Sequence, residues 1–123
     1  MIGIGFDLCE IARMEKLLQE GDRFLMRYFT PEEQAYIHSR NQLSAQSMAA
    51  IFAAKEAFLK AMGTGMNGQI PLTDIEIRHE ESGQPKYHLI GAAAQKLQEA
   101  KGTRVLLSLT HEAGVAGAMT VIV

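Results

Sequence analysis

The chain of 123 residues carries 14 acidic and 12 basic side chains, a net charge of −2 and a 47% share of hydrophobic residues. That length suits one domain, residues 1–123, with a modest core, and the balanced charge excludes a general nucleic-acid binder, which needs a basic face. A lone cysteine, Cys9, excludes an internal disulfide, and the longest apolar run, VAGAMTVIV at the C-terminus, is too short to span a bilayer as a helix. No signal-peptide pattern opens the chain, so the expectation is a soluble cytoplasmic protein without membrane contact.

Ile2, Ile4, Phe6 and Leu8 alternate with Gly3, Gly5 and Asp7, which predicts a strand with one apolar face. Its other face is nearly bare, leaving room for a ligand beside the carboxylate of Asp7; Asp7 followed by Glu10 also fits a cap for the next helix. That helix carries Ile11, Met14, Leu17 and Leu18 at helical spacing and stops near Gly21. A short helical piece follows over 23–29. TPEE then opens another helix, with Thr30 as N-cap, Pro31 in the first turn and Glu33 reaching back. A long alanine-rich helix runs from Ser44 to Met62, with Ile51, Phe58 and Met62 along one side. Alternation in TDIEIRH and KYHLI around the turn SGQP predicts a hairpin over 73–90. AAAQKLQEAK reads as a helix stopped by Gly102, and RVLLSLTH and GVAGAMTVIV as two strands around EAG. The order β-α-α-α-β-β-α-β-β, with mostly antiparallel strands packed against helices, is an α+β domain.

Several residues could carry chemistry. Glu56 and Lys60 lie four apart on one helix face, a spacing that equally describes a surface ion pair. As a functional pair, Glu56 would hold a hard cation and Lys60 would neutralise phosphate oxygens. Gly63 can cap the helix, and Gly63 and Gly65 around Thr64 would let backbone approach a ligand. Asp7 is a candidate second carboxylate, since magnesium needs only one or two when phosphates and waters complete its shell; the sequence does not place Asp7 beside Glu56. His111 stands at a strand end, where it is either structural or a donor to phosphate. His38, His79 and His88 have no ligand spacing for zinc. Arg13, Lys16, Arg23 and Arg27 are interleaved with acids, and suit either a solvated face or docking of an acidic protein.

Taken in order, GIGFDLCEIARM, FTPEEQAYI, FAAKEAFLKAMGTG, LTDIEIRH, SGQP and SLTHEAGVA resemble the holo-(acyl carrier protein) synthase family of short-chain 4'-phosphopantetheinyl transferases over essentially the whole chain. The resemblance implies that fold, and transfer of 4'-phosphopantetheine from coenzyme A to a serine of an apo acyl carrier protein of lipid (fatty acid) biosynthesis. It places Mg2+ on Asp7 and Glu56, Lys60 on the pyrophosphate, and Gly63, Thr64, Gly65, Pro85 and His111 around the substrate. It places Arg13 and Arg23 on the carrier protein, and it implies a homotrimer with active sites between protomers. Ile51 and Gln84 depart from the family pattern, which carries cations there. Weaker coenzyme A binding is the expectation unless Arg40, Lys86 or His111 compensate.

Overall fold

The computed structural model describes residues 2–63 and 69–123. Strand β1 spans Gly3–Glu10 and runs into helix α1, Ile11–Gln19. Helices α2 (Arg23–Tyr28), α3 (Pro31–Ser39) and α4 (Ser44–Met62) follow, then the hairpin of β2 (Ile75–His79) and β3 (Pro85–Leu89). Helix α5 (Gly91–Glu99) leads to β4 (Val105–Glu112) and β5 (Val115–Ile122). The strands form two antiparallel sheets, one ordered β1-β5-β4 and the other the β2-β3 hairpin. The turn between β4 and β5 puts Ala113 (φ 52°) and Gly114 (φ 79°) in the left-handed region, as a two-residue hairpin loop of the right twist requires.

The local signals have physical counterparts. Thr30 Oγ1 accepts from the Glu33 amide at 3.2 Å and Glu33 Oε1 accepts from the Thr30 amide at 2.9 Å, closing the capping box of α3. The cap read from Asp7 and Glu10 does not form: Glu10 stands at the N-cap of α1, but its side chain makes no capping bond. Helix α5 is instead capped from a distance, by Asp74 Oδ2 accepting from the Ala92 amide at 2.9 Å.

Helix α4 lies across the inner face of the three-stranded sheet. Phe58, Ile51 and Met48 are fully buried there, each worth about 2 kcal/mol of apolar burial. The bare face of β1 admits this helix rather than a ligand. A Cβ on Gly5 would sit 1.9 Å from the Ala57 carbonyl oxygen, and one on Gly3 2.1 Å from that of Ala61. Strand backbone therefore lies directly on helix backbone, and the apolar side chains of β1 are turned outward. Ile4, Phe6 and Leu8 are 56%, 50% and 60% exposed, and the outer face continues through Met119 and Leu106. Phe6 pairs with Met119 in the β1-β5 ladder, and Leu106 with Val121 in the β4-β5 ladder.

Candidate functional site

The close contact of β1 and α4 decides where the acidic side chains fall. Asp7 is two residues past Gly5 on the same inner face, and Glu56 directly precedes Ala57, against which Gly5 rests. Lys60 lies one turn beyond Glu56. Its Nζ donates to Asp7 Oδ1 at 2.7 Å and to the Phe6 carbonyl at 3.1 Å. Asp7 is largely buried, and its other oxygen, Oδ2, is buried without a hydrogen-bond partner among the described residues. The Glu56 carboxyl is pushed up to about 7, first by burial and then by the adjacent Asp7 carboxylate, against the pull of Arg13 and Lys60. Two carboxylates that the sequence left apart therefore meet, and the charge of Asp7 disfavours that of Glu56.

An orphaned buried carboxylate oxygen beside a second, charge-averse carboxylate is a place short of positive charge. The donors are hard oxygens, which suits a small divalent cation. Among the described residues no group of three or more His, Cys, Asp or Glu could hold a metal, so a cation here would draw its remaining ligands from substrate and water. Cys9, nearby on β1, is pushed up to about 11, mainly by burial, with Glu56 and Asp7 adding to the effect, which makes it an inert thiol.

Lys55, adjacent to Glu56, has a different part. It is fully buried, with its Nζ 2.8 Å from Glu33 Oε1, 2.8 Å from the Leu72 carbonyl and 2.7 Å from the Ile75 carbonyl. Glu33 Oε2 in turn accepts from the Ile77 amide at 2.8 Å. Burial pushes Glu33 up and Lys55 down, while each partner pulls the other back toward its charged form. The pair ties α3, α4 and β2 together, and sequence reading saw only the local capping half of it.

The remaining predicted residues fall in several places. Gly63 caps α4 in the left-handed conformation (φ 75°), with its amide bonded to the Lys60 carbonyl at 3.0 Å. Thr64 and Gly65 lie outside the described residues. Pro85 and His111 do come together, in a cavity of about 240 Å³ that also touches Tyr36, Ser47, His79 and Gly83. Ser47 and Glu56 are nine residues apart on α4, or about 14 Å at the rise of an α-helix. The cavity and the carboxylate pair of one chain therefore cannot grip the same phosphate.

Ile51 is 1% exposed and belongs to the core, and it does not line this cavity. Arg40 is a cation beside the cavity. Its Nε donates to Ser47 Oγ at 3.3 Å, and its guanidinium lies 5.6 Å from the Tyr36 ring centre. Tyr36 stacks flat on His79 at 3.9 Å, a contact between α3 and β2 for which the sequence carries no local signal. Arg13 and Arg23 are not brought together in one hollow. Arg13 lies 5.5 Å over the Phe52 ring and acts electrostatically on Glu56. Arg23 lines a separate hollow of about 410 Å³ with Leu17, Glu20, Phe24, Arg27 and Tyr28.

In this α+β domain two half-buried carboxylates and a half-exposed lysine thus meet at the crossing of a strand and a helix, an arrangement with the chemistry to hold a cation beside an anion. The sequence model of the 4'-phosphopantetheinyl transferase superfamily matches residues 3–112, and the chain belongs to that superfamily. It is 43% identical to a holo-[acyl-carrier-protein] synthase of Treponema denticola, over 99% of this chain and 98% of that one. Its fold matches the crystal structure of a holo-[acyl-carrier-protein] synthase from Neisseria meningitidis with a TM-score of 0.88 at 34% identity, covering 99% and 98% of the two chains. It also matches that of the Helicobacter pylori synthase in complex with coenzyme A, with a TM-score of 0.84 at 30% identity over 98% and 99% of the chains. No described helix is long and apolar enough to cross a membrane.

Proposed function

We propose that this chain transfers 4'-phosphopantetheine from coenzyme A to a serine hydroxyl of an apo acyl carrier protein, giving the holo carrier and adenosine 3',5'-bisphosphate. The observation that carries this reading is the convergence of Asp7, Glu56 and Lys60 in a chain of this superfamily.

Asp7 Oδ2 and the Glu56 carboxylate would hold Mg2+, which when bound supplies positive charge to the diphosphate of coenzyme A. Lys60 binds the diphosphate oxygens through an ammonium on a half-exposed, flexible stem. It neutralises the charge that grows on the departing bisphosphate. The Glu56 carboxylate is the candidate to take the serine proton, directly or through a water. Gly63, with Thr64 and Gly65 after it, lets backbone approach the substrate, and Pro85 and His111 hold its nucleotide end in their shared cavity. Arg13 and Arg23 dock the acidic face of the carrier protein.

Residues 1–123 act as one catalytic domain of lipid biosynthesis in the cytoplasm. The family resemblance implies a homotrimer, and the exposed apolar face of Ile4, Phe6, Leu8, Met119 and Leu106 supports an interface between copies of the chain without fixing their number. The distance between the carboxylates and the His111 cavity is in keeping with sites completed between protomers. A monomer in sedimentation at working concentration would remove that part of the reading.

The test is to incubate the protein with apo carrier protein, coenzyme A and Mg2+ and to weigh the carrier by mass spectrometry. One added phosphopantetheine is expected, and it should disappear on chelation of the metal and in a folded Glu56→Gln variant. No mass gain at any Mg2+ concentration, or full activity of Glu56→Gln, would refute the assignment.

A further inference from the structure

Lys60 has a second feature, visible before any substrate is considered. Its stem is 54% exposed, yet its Nζ is anchored across to β1, on Asp7 Oδ1 at 2.7 Å and the Phe6 carbonyl at 3.1 Å. The carboxylate of Asp7 is thus divided, with Oδ1 on an ammonium and Oδ2 buried beside Glu56, without a hydrogen-bond partner among the described residues. We infer that Lys60 is a resident counter-cation of Asp7 that opposes divalent-cation binding until a diphosphate draws its ammonium away, so that metal and diphosphate bind cooperatively through this one side chain. The inference rests on the reading of Asp7 and Glu56 as the cation site.

An ammonium and a divalent cation on the two oxygens of one carboxylate repel each other across a few ångströms. Screened as in water, that repulsion is on the order of a tenfold loss in affinity. Lysine is a compact charge on a flexible four-carbon stem, so it can leave Asp7 without moving α4. Phosphate oxygens offer it a stronger set of acceptors, and once it has moved to them the full carboxylate is free. Coupling of this kind is reciprocal: whatever diphosphate does for the metal, the metal does for diphosphate. An empty site would then take up little metal, and loading would wait for substrate.

The test uses Mn2+ as the metal probe, followed by the electron paramagnetic resonance of the free ion, and inorganic pyrophosphate as the diphosphate probe. Removing the charge with Lys60→Met should tighten Mn2+ binding about tenfold in the absence of pyrophosphate. It should also shrink the further tightening that pyrophosphate gives the wild-type protein. Lys60→Arg, which keeps the charge, should stay within about twofold of wild type. Equal or weaker Mn2+ binding by a folded Lys60→Met, or the same tightening by Lys60→Arg, would overturn the inference while leaving the carboxylate pair in place. Failure of the wild-type protein to bind Mn2+ with or without pyrophosphate would overturn both.

Discussion

Adding one methyl group at Gly5 should damage fold and site together. The new Cβ would lie 1.9 Å from the Ala57 carbonyl oxygen and 2.7 Å from the Ala61 amide nitrogen. Ordinary contact begins near 3.4 Å, so β1 must retreat from α4 by roughly 1.5 Å. Both obstacles are helix backbone, which cannot rotate away as a side chain would. Overpacking typically costs 1–3 kcal/mol, and a clash with backbone belongs at the top of that range, about 3 kcal/mol. For a chain of this length that lowers the melting temperature by about 10 °C. Asp7 sits two residues along the same strand, and displacement of a reacting group by ~1 Å costs about a hundredfold in rate. Gly5→Ala is therefore expected to unfold in less urea and, where still folded, to modify carrier protein about a hundred times more slowly. Intrinsic strand preference points the other way, because Ala replacing Gly should stabilise an unobstructed strand by up to about 1 kcal/mol. A Gly5→Ala protein as stable and active as wild type would refute the backbone-on-backbone contact.

Two other changes probe the parts around the site. Lys55→Met leaves the Glu33 carboxylate buried without its cation, at a cost of about 3–5 kcal/mol. Combined with Glu33→Gln, the loss in urea unfolding should be smaller than the sum of the single losses, and strict additivity would contradict the buried pair. Burial, with the charge of Arg40, holds the His79 imidazole below its ordinary value of 6.5. The unfolded chain then takes up a proton that the folded one resists, so this contribution to stability is complete above pH 6.5 and is lost as pH falls below it. His79→Phe keeps a ring against Tyr36 and should flatten the fall in melting temperature between about pH 6.5 and 5, and an unchanged fall would contradict the assignment.

Much of the fold was legible because its signals are local. Thr30 and Glu33 form a capping box within four residues, Gly63 ends α4 in the conformation glycine favours, and alternation marks both hairpins. The chemistry-bearing residues were legible as types: carboxylates at Asp7 and Glu56 and a lysine one turn after the latter. The bare face of β1 was open to misreading, because an alternation of Gly with Ile and Phe does not tell which side meets the core. Packing decided it, since α4 can come this close only where no Cβ stands. Lys55 and Glu56 are neighbours in sequence, but they project to different sides of a helix. One is neutralised by Glu33, 22 residues earlier in the chain, and the other faces Asp7.

By itself, then, the sequence determined the order of the main elements and the superfamily, because capping, periodicity and motif spacing act over a few residues, while the strand expected from Thr73 begins only at Ile75, after a 3-10 turn over Leu72–Asp74. Only the tertiary structure decided that Asp7, Glu56 and Lys60 share one place, that Lys55 does not join them, and that Tyr36 stacks on His79. Those facts depend on how separate elements lie against one another. For the site, that placement follows from two glycines that let a strand rest directly on a helix.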